Sequence, residues 1–186
     1  MRRPTLQFFF SFGFLLLTAR AFPADLSLGQ IYALRFVDVD GDSLSTADGH
    51  VTVLVLTTQS NIDKAREVGD HIPDYCLGNP AHRMITIVNF QRKRRKLARI
   101  VLNALMRHRL DAEARRLQVR YDERKIEHDA RRDVFAVADF DGGTATQLGV
   151  PFESADFRVF VFARNGELLQ RWDDVPTAEE LAVVVK

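Results

Sequence analysis

The sequence contains a single cysteine, Cys76, among its 186 residues. One thiol cannot form a disulfide within the chain, so the fold has to be stabilised by its hydrophobic core. Thiol–disulfide exchange also needs a second thiol to release the mixed disulfide, and the chain offers none. The cysteine count therefore excludes both a disulfide scaffold and a two-cysteine redox centre.

Other common signatures are absent as well. Beyond the N-terminal region, no apolar run approaches the ~20 residues that a membrane-spanning helix needs. Neither Ser60 nor Ser154 lies in a Gly-x-Ser-x-Gly motif, so a serine hydrolase is not indicated. The sequence has no glycine-rich phosphate-binding loop, and nothing in it indicates a cofactor.

The N-terminus has the organisation of an export signal. Met1–Arg3 is positively charged, residues 6–18 are largely apolar, and Ala19–Ala21 has small residues at the spacing of a cleavage site. We therefore expect a signal peptide over residues 1–21, one domain over residues 22–186, and export to the periplasm. An uncleaved membrane anchor is the alternative, which the shortness of the apolar run disfavours.

The rest of the chain alternates short apolar runs with helical patterns. Its 46% hydrophobic and 27% charged residues are typical of a single soluble domain with a core. Residues 51–56 are apolar and rich in β-branched side chains, which predicts a central strand buried on both faces. Further strands are predicted at residues 84–90, 134–138, 157–162 and 168–172. This alternation predicts an α/β fold with a mixed sheet covered on two faces.

Two local patterns predict where helices begin. Ser60 followed by Asp63 predicts a capping box that starts a helix at about Asn61. Thr177 followed by Glu180 predicts a second capping box before the last helix. Both acidic residues also suit the positive end of a helix dipole.

Residues 91–132 form an unusually basic segment. They include 15 Lys and Arg against 6 Asp and Glu, so the rest of the exported chain is acidic. Apolar residues recur at helical spacing in this segment, which predicts a helix that packs on the body by one apolar stripe. The stripe consists of Leu97, Ile100, Val101, Ala104, Leu105 and His108.

Two interpretations of the basic segment remain open. Its cations form either a solvated helix face that pairs with the acidic body, or a docking face for an acidic protein partner or an anionic membrane surface. Nucleic acid is not expected as a partner of an exported protein. The candidate docking residues are Arg92, Lys93, Arg94, Arg95, Lys96 and Arg99.

Three segments resemble the thioredoxin-like superfamily, in particular its redoxin and TlpA-type domains. The opening of such domains, up to the active-site turn, is similar to GQIYALRFVDVDGDSLSTADGHVTVLVLTT. The next matching strand is VFAVADFDGGTATQLGVP, and the closing hairpin and helix resemble FRVFVFARNGELLQRWDDVPTAEEL. The resemblance implies a three-layer α/β/α sandwich with a mixed central sheet. Residues 91–132 depart from the family, because they form a basic, largely helical crossover segment that is longer and more charged than usual.

The chain lacks both catalytic features of this family. Redox members carry a Cys-x-x-Cys motif or a peroxidatic cysteine in the turn after the central strand. That turn here consists of Thr57, Thr58, Gln59 and Ser60. The family's cis-proline directly precedes the hairpin strand, where this chain has Ala155–Asp156, with Pro151 several residues upstream. The resemblance therefore implies the fold with a degenerate active-site turn.

A few residues remain as candidate sites. Cys76 with His71 and His82 offers thiolate and imidazole, which favour copper or zinc, and Cys76 alone could serve a single-cysteine oxidoreductase or peroxidase. Thr57 and Thr58 could bind an anion at a helix N-terminus, although capping and packing explain them equally well. The leading prediction is an exported binding or interaction module without thiol redox chemistry, catalytic residues or cofactor.

Overall fold

The computed structural model describes residues 25–186. The predicted signal peptide, residues 1–21, lies outside the described residues, so its presence and cleavage stay predictions. The strands are β1 (Arg35–Val37), β2 (Ser43–Ser45), β3 (Val51–Thr58), β4 (His82–Asn89), β5 (Val134–Asp139), β6 (Arg158–Phe162) and β7 (Leu168–Trp172). The helices are α1 (Ile62–His71), α2 (Lys96–Glu123), α3 (Gly143–Gln147) and α4 (Ala178–Val184).

Five of the strands form one mixed sheet in the order β5-β4-β3-β6-β7. The central strand β3 runs parallel to β4 and antiparallel to β6. All eight residues of β3 are buried, as expected for an uninterrupted apolar strand that is covered on both faces. The predicted α/β class, the mixed sheet and the central place of residues 51–56 are confirmed.

Different elements cover the two faces of the sheet. On one face, Leu54 and Ile85 belong to a buried cluster that includes residues of α3 and of the hairpin formed by β1 and β2. On the other face, Val53 packs with residues of α1 and α4, while α2 packs against Val88 and Ala136. The molecule is the three-layer sandwich that the resemblance implied.

The capping box before the last helix is confirmed. The Thr177 hydroxyl accepts a hydrogen bond from the backbone N–H of Glu180 (3.2 Å), and the Glu180 carboxylate accepts one from the backbone N–H of Thr177 (2.8 Å). Two N–H groups that a helix start leaves without partners are thereby satisfied.

The capping box predicted before the first helix is wrong. Residues Gln59–Asn61 form one turn of 3-10 helix, so α1 begins at Ile62 rather than Asn61. The Ser60 hydroxyl lies 2.8 Å from the hydroxyl of Thr58, and no side chain caps α1. Serine hydroxyls bond to several local partners, and here a neighbouring side chain competes successfully with the helix backbone.

Helix α2 packs on the sheet through a different face from the one predicted. Its buried residues are Met106, Leu110, Ala114 and Tyr121. Members of the predicted stripe face solvent instead, with exposed fractions of 79% for Leu97, 61% for Ile100, 67% for Val101 and 43% for Leu105. Ala104 and His108 are exposed as well. The prediction that this stripe packs on the body is therefore wrong.

The physical reason is that the first half of α2 is apolar on two opposite sides. At 100° per residue, Leu97 and Ile100 lie on one side of the helix, whereas Leu102 and Met106 lie on the other. Only one side can face the sheet. The side that packs continues at the same spacing as far as Tyr121, whereas the exposed stripe loses its apolar character after Leu105.

Candidate functional site

The central strand β3 is longer than predicted and includes the first two residues of the predicted degenerate active-site turn. Thr57 and Thr58 belong to β3 and are 0% and 1% exposed, while Gln59 and Ser60 are exposed and form the 3-10 turn. Because the two threonines are buried in the sheet, their hydroxyls are not offered to an anion at the start of α1. The interpretation of these threonines as part of the turn is therefore wrong.

The side chains at this position bond to their own neighbours. The Thr57 hydroxyl donates to the backbone carbonyl of Thr58 (3.3 Å), and the hydroxyls of Thr58 and Ser60 bond to each other (2.8 Å). No thiol lies here, and a serine needs an adjacent base to become a nucleophile. The junction between β3 and α1 therefore has no group that could perform thiol redox chemistry.

The segment that replaces the family's cis-proline lies against this turn. The Asn61 side-chain amide donates a hydrogen bond to the backbone carbonyl of Ala155 (3.1 Å). The tertiary structure therefore brings Ala155 beside the strand-to-helix junction. The contact is a structural bond between two loops.

Cys76 lies far from the turn, beyond the other end of α1. It ends a short 3-10 helix, Asp74–Cys76, and α1 alone separates the two places by about 15 Å of helix. The side chain is 8% exposed, and burial raises the pKa of the Cys76 thiol to about 11. Since the thiolate is the nucleophile and the metal ligand, this thiol is poorly suited to either task near neutral pH.

The two histidines considered with Cys76 each bond to the backbone of the C-terminal region. His71 Nδ1 lies 2.7 Å from the carbonyl of Pro176, and His82 Nε2 lies 3.0 Å from the carbonyl of Val185. Within residues 25–186, no group of three or more His, Cys, Asp and Glu side chains is arranged to hold a metal ion. The structure does not bring His71, Cys76 and His82 together as a ligand set.

The candidate docking residues of the basic segment lie in the loop before α2 and in its first turn. Arg92, Lys93, Arg95 and Lys96 are exposed, and Arg94 is half-buried. Arg99 forms an ion pair with Asp141 (3.4 Å) and its guanidinium lies 5.5 Å from the centre of the Phe140 ring. In the part of the chain that the structure describes, the other five make no ion pair.

These cations surround the exposed apolar stripe. We call the exposed Leu97, Ile100, Val101 and Leu105, together with the flanking Arg92, Lys93, Arg95, Lys96 and Arg109, the amphipathic face of α2. No acidic residue occurs between Gln91 and Leu110. Sequence periodicity identified the apolar residues of this face, but their exposure depends on which side of the helix packs.

Known proteins provide a comparison at the level of the fold. No protein-family model and no curated protein sequence matches this chain. The chain is similar to the crystal structure of the exposed lipoprotein thioredoxin of Streptococcus pneumoniae, with a TM-score of 0.51 and 11% identity, over 83% of this chain and 98% of that one. It is also similar to a peroxiredoxin-like protein from Aquifex aeolicus, with a TM-score of 0.52 and 12% identity, over 88% of each chain.

These similarities establish the class of fold. The chain has a thioredoxin-like α/β fold, as its sequence predicted, and it carries no Cys-x-x-Cys motif because it has one cysteine. At 11–12% identity the likeness concerns the fold and carries no activity with it. Among residues 25–186, no helix is both long enough and apolar enough to cross a membrane.

Proposed function

We propose that this protein is an exported thioredoxin-fold binding module that docks on an anionic membrane surface and performs no thiol redox chemistry. The observation that carries the proposal is the amphipathic face of α2. It exposes Leu97, Ile100 and Val101 at 79%, 61% and 67%, beside cations that form no ion pair within the described residues. The expected signal peptide over residues 1–21 supplies the export step.

The spacing of the apolar residues favours a membrane interface. Leu97, Ile100 and Val101 are three and four residues apart, so they form one continuous patch on the helix surface. A basic helix with an apolar side lies in the headgroup region, where its apolar residues enter the acyl boundary and its Lys and Arg contact anionic lipids. The absence of acidic residues between Gln91 and Leu110 removes the like-charge repulsion that would oppose this arrangement.

Binding to vesicles tests the docking. The protein beginning at residue 22 should co-sediment with vesicles that contain phosphatidylglycerol and much less with pure phosphatidylcholine vesicles. Replacing Leu97, Ile100 and Val101 together with glutamine should weaken binding by at least about a hundredfold, since burying each of these side chains contributes roughly 1–2 kcal/mol.

A matched control removes exposed apolar residues elsewhere. Val119 lies on the second half of α2 and is 56% exposed, and Val183 of α4 is 71% exposed. Replacing both with glutamine should leave vesicle binding unchanged. The docking proposal is wrong if the wild-type protein does not bind phosphatidylglycerol vesicles, or if this control loses as much binding as the α2 variant.

Separate assays test the proposal that the protein has no thiol redox activity. The protein should not catalyse the reduction of insulin disulfides or thiol-dependent turnover of peroxide, because its only thiol is buried and has a raised pKa, about 11. Labelling of Cys76 by a thiol reagent should be slow near neutral pH in the folded protein and should become fast in denaturant. Turnover in the native chain that disappears in Cys76→Ser would overturn the non-redox assignment and support the single-cysteine alternative.

A further inference from the structure

A cavity of about 500 Å³ lies between α1, α2 and the sheet. Native interiors rarely contain voids larger than a water molecule, whereas pockets for small ligands typically measure ~300–1,000 Å³. We propose that this cavity binds the chain of a long-chain carboxylate such as a fatty acid. This function goes beyond membrane docking and does not depend on it.

The floor of the cavity is formed by the central region of the sheet. Met84 and Thr86 of β4 line it and are half-buried, whereas Ile85 and Ile87, on the opposite face of the same strand, are 0% exposed. β4 lies between β3 and β5, so both of its faces should be covered in a fully packed parallel region. Helices α1 and α2 therefore leave a gap over an interior strand.

Most of the surface that lines the cavity is apolar, although charged side chains also line it. α1 contributes Ile62 and Ala65, and α2 contributes Leu102, Met106 and Leu110. Against the apolar part of this lining, a polar ligand would lose its hydration without gaining hydrogen bonds, which disfavours its binding there. A hydrocarbon chain loses no hydrogen bonds and gains dispersion contacts with these side chains.

Ion pairs between α1 and α2 cross the outer side of the cavity. Arg66 Nε donates to Glu113 Oε1 (3.0 Å), and Arg116 lies 2.5 Å from the Asp70 carboxylate. All four residues line the cavity. The packing of Met106 and Leu110 on Val88 and Ala136 places α2 on the sheet, and these bridges connect it to α1 across the space.

A cation at the cavity provides a contact for the head of the ligand. Arg109 lines the cavity, is exposed to solvent and makes no ion pair within residues 25–186. An Arg guanidinium binds a carboxylate through two parallel hydrogen bonds. A long-chain carboxylate matches both features of the site, because its hydrocarbon chain fits the apolar lining and its carboxylate can bind Arg109. These two features together define the ligand class.

Binding of a fluorescent fatty acid tests the proposal. A dansyl-labelled fatty acid should bind delipidated protein saturably, and unlabelled palmitate should displace it. Thr86→Trp fills the cavity from its floor and should weaken binding by about tenfold or more. The matched variant Thr86→Val keeps the size of the side chain and should bind within about twofold of the wild type.

A second cavity variant and a neutral ligand provide two further tests of binding in the cavity. Leu102→Trp fills the cavity from the α2 side and should reproduce the loss if Thr86→Trp fails to fold, as judged by its circular dichroism. Arg109→Gln should weaken the binding of palmitate by about fivefold, as expected for one exposed charge pair, without weakening that of the neutral alcohol of equal length.

The outcomes separate this proposal from membrane docking. The Leu97/Ile100/Val101 glutamine variant should keep its affinity for palmitate, and Thr86→Trp should keep its affinity for phosphatidylglycerol vesicles. The cavity proposal is overturned if the wild-type protein shows no saturable binding, or if the folded tryptophan variants bind as well as the wild type.

Discussion

The two halves of the basic segment have similar numbers of cations but differ in the number of acidic residues that accompany them. Residues 91–110 contain eight basic and no acidic residues, whereas residues 111–132 contain seven basic and six acidic ones. In the first half, most cations point to solvent around an exposed apolar stripe. The comparison shows that a count of Lys and Arg does not distinguish a docking face from a neutralised one.

In the second half, four of the seven cations form ion pairs with the acidic body. Arg116 contacts Asp70, Arg124 contacts Asp74, and Arg131 contacts Asp40, each at 2.5 Å. The solvated face that pairs with the body, one of the two interpretations from the sequence, describes this half. The docking interpretation is proposed for the first half, in which only Arg99 and Arg107 form such pairs within the described residues, with Asp141 and Asp40.

The largest expected difference between the two sides of α2 concerns folding stability. Leu110→Ala removes a side chain that is 8% exposed and should lower the free energy of unfolding by about 2–3 kcal/mol. Leu97→Ala removes a side chain that is 79% exposed and should change it by less than about 0.5 kcal/mol. Urea denaturation of the two variants measures this, and equal losses would show that the exposed stripe packs on the body.

The second prediction concerns the cations of the first half. Replacing Arg92, Arg94 and Arg95 with glutamine should weaken binding to phosphatidylglycerol vesicles by about a hundredfold, because each cation near an anionic surface contributes roughly 1 kcal/mol. Raising the salt should also weaken binding of the wild type steeply, since exposed charges are screened over ~10 Å at 0.1 M. A vesicle titration at several salt concentrations measures both effects.

A matched triple variant in the second half is the control for this prediction. Replacing Arg115, Arg116 and Arg124 with glutamine changes the net charge by the same amount. Because Arg116 and Arg124 are already paired with Asp70 and Asp74, this variant should lose less than about tenfold in vesicle affinity. Equal losses in the two triple variants would mean that total charge, rather than the amphipathic face, determines binding.

The third prediction concerns how the second half of α2 is anchored. Tyr121 is 1% exposed, and its hydroxyl donates to the Asp133 carboxylate (2.6 Å) and accepts from the backbone N–H of Gly78 (2.9 Å). Tyr121→Phe removes the acceptor of the Gly78 N–H and leaves Asp133 with its contact to His128 Nε2 (3.3 Å), so it should lower the free energy of unfolding by about 1–2 kcal/mol. Tyr75→Phe, at a side chain that is 49% exposed, should cost about 0.5 kcal/mol or less in the same denaturation experiment.

The smallest expected effect is that of the ion pair between α1 and α2. Glu113→Gln removes the carboxylate that raises the pKa of Arg66, but the pair is partly exposed, so the loss should be about 0.2–1 kcal/mol and should shrink in high salt. Glu123→Gln, which removes no ion pair of the described residues, should have no measurable effect. A loss above about 2 kcal/mol would mean that this bridge determines the packing of α2 on the body.

The strands were predictable because their burial is visible in the sequence itself. Residues 51–56 form an apolar β-branched run, and such a run is stable only where both faces of a strand are covered. The sequence also excluded a two-thiol centre, because it contains a single cysteine, Cys76. The capping box at Thr177 formed as predicted because its partners lie within one turn of chain.

Features that depend on competition between distant or alternative partners were decided only by the tertiary structure. The first half of α2 has two apolar sides with the same helical spacing, and only the contact with Val88 and Ala136 determines which one is buried. The sequence could not show that Ser60 would bond to Thr58, or that the helices would leave a cavity over Thr86. Local sequence rules describe what each segment can bury or bond, whereas the assembled fold determines which of these options is used, because each surface can contact only one partner.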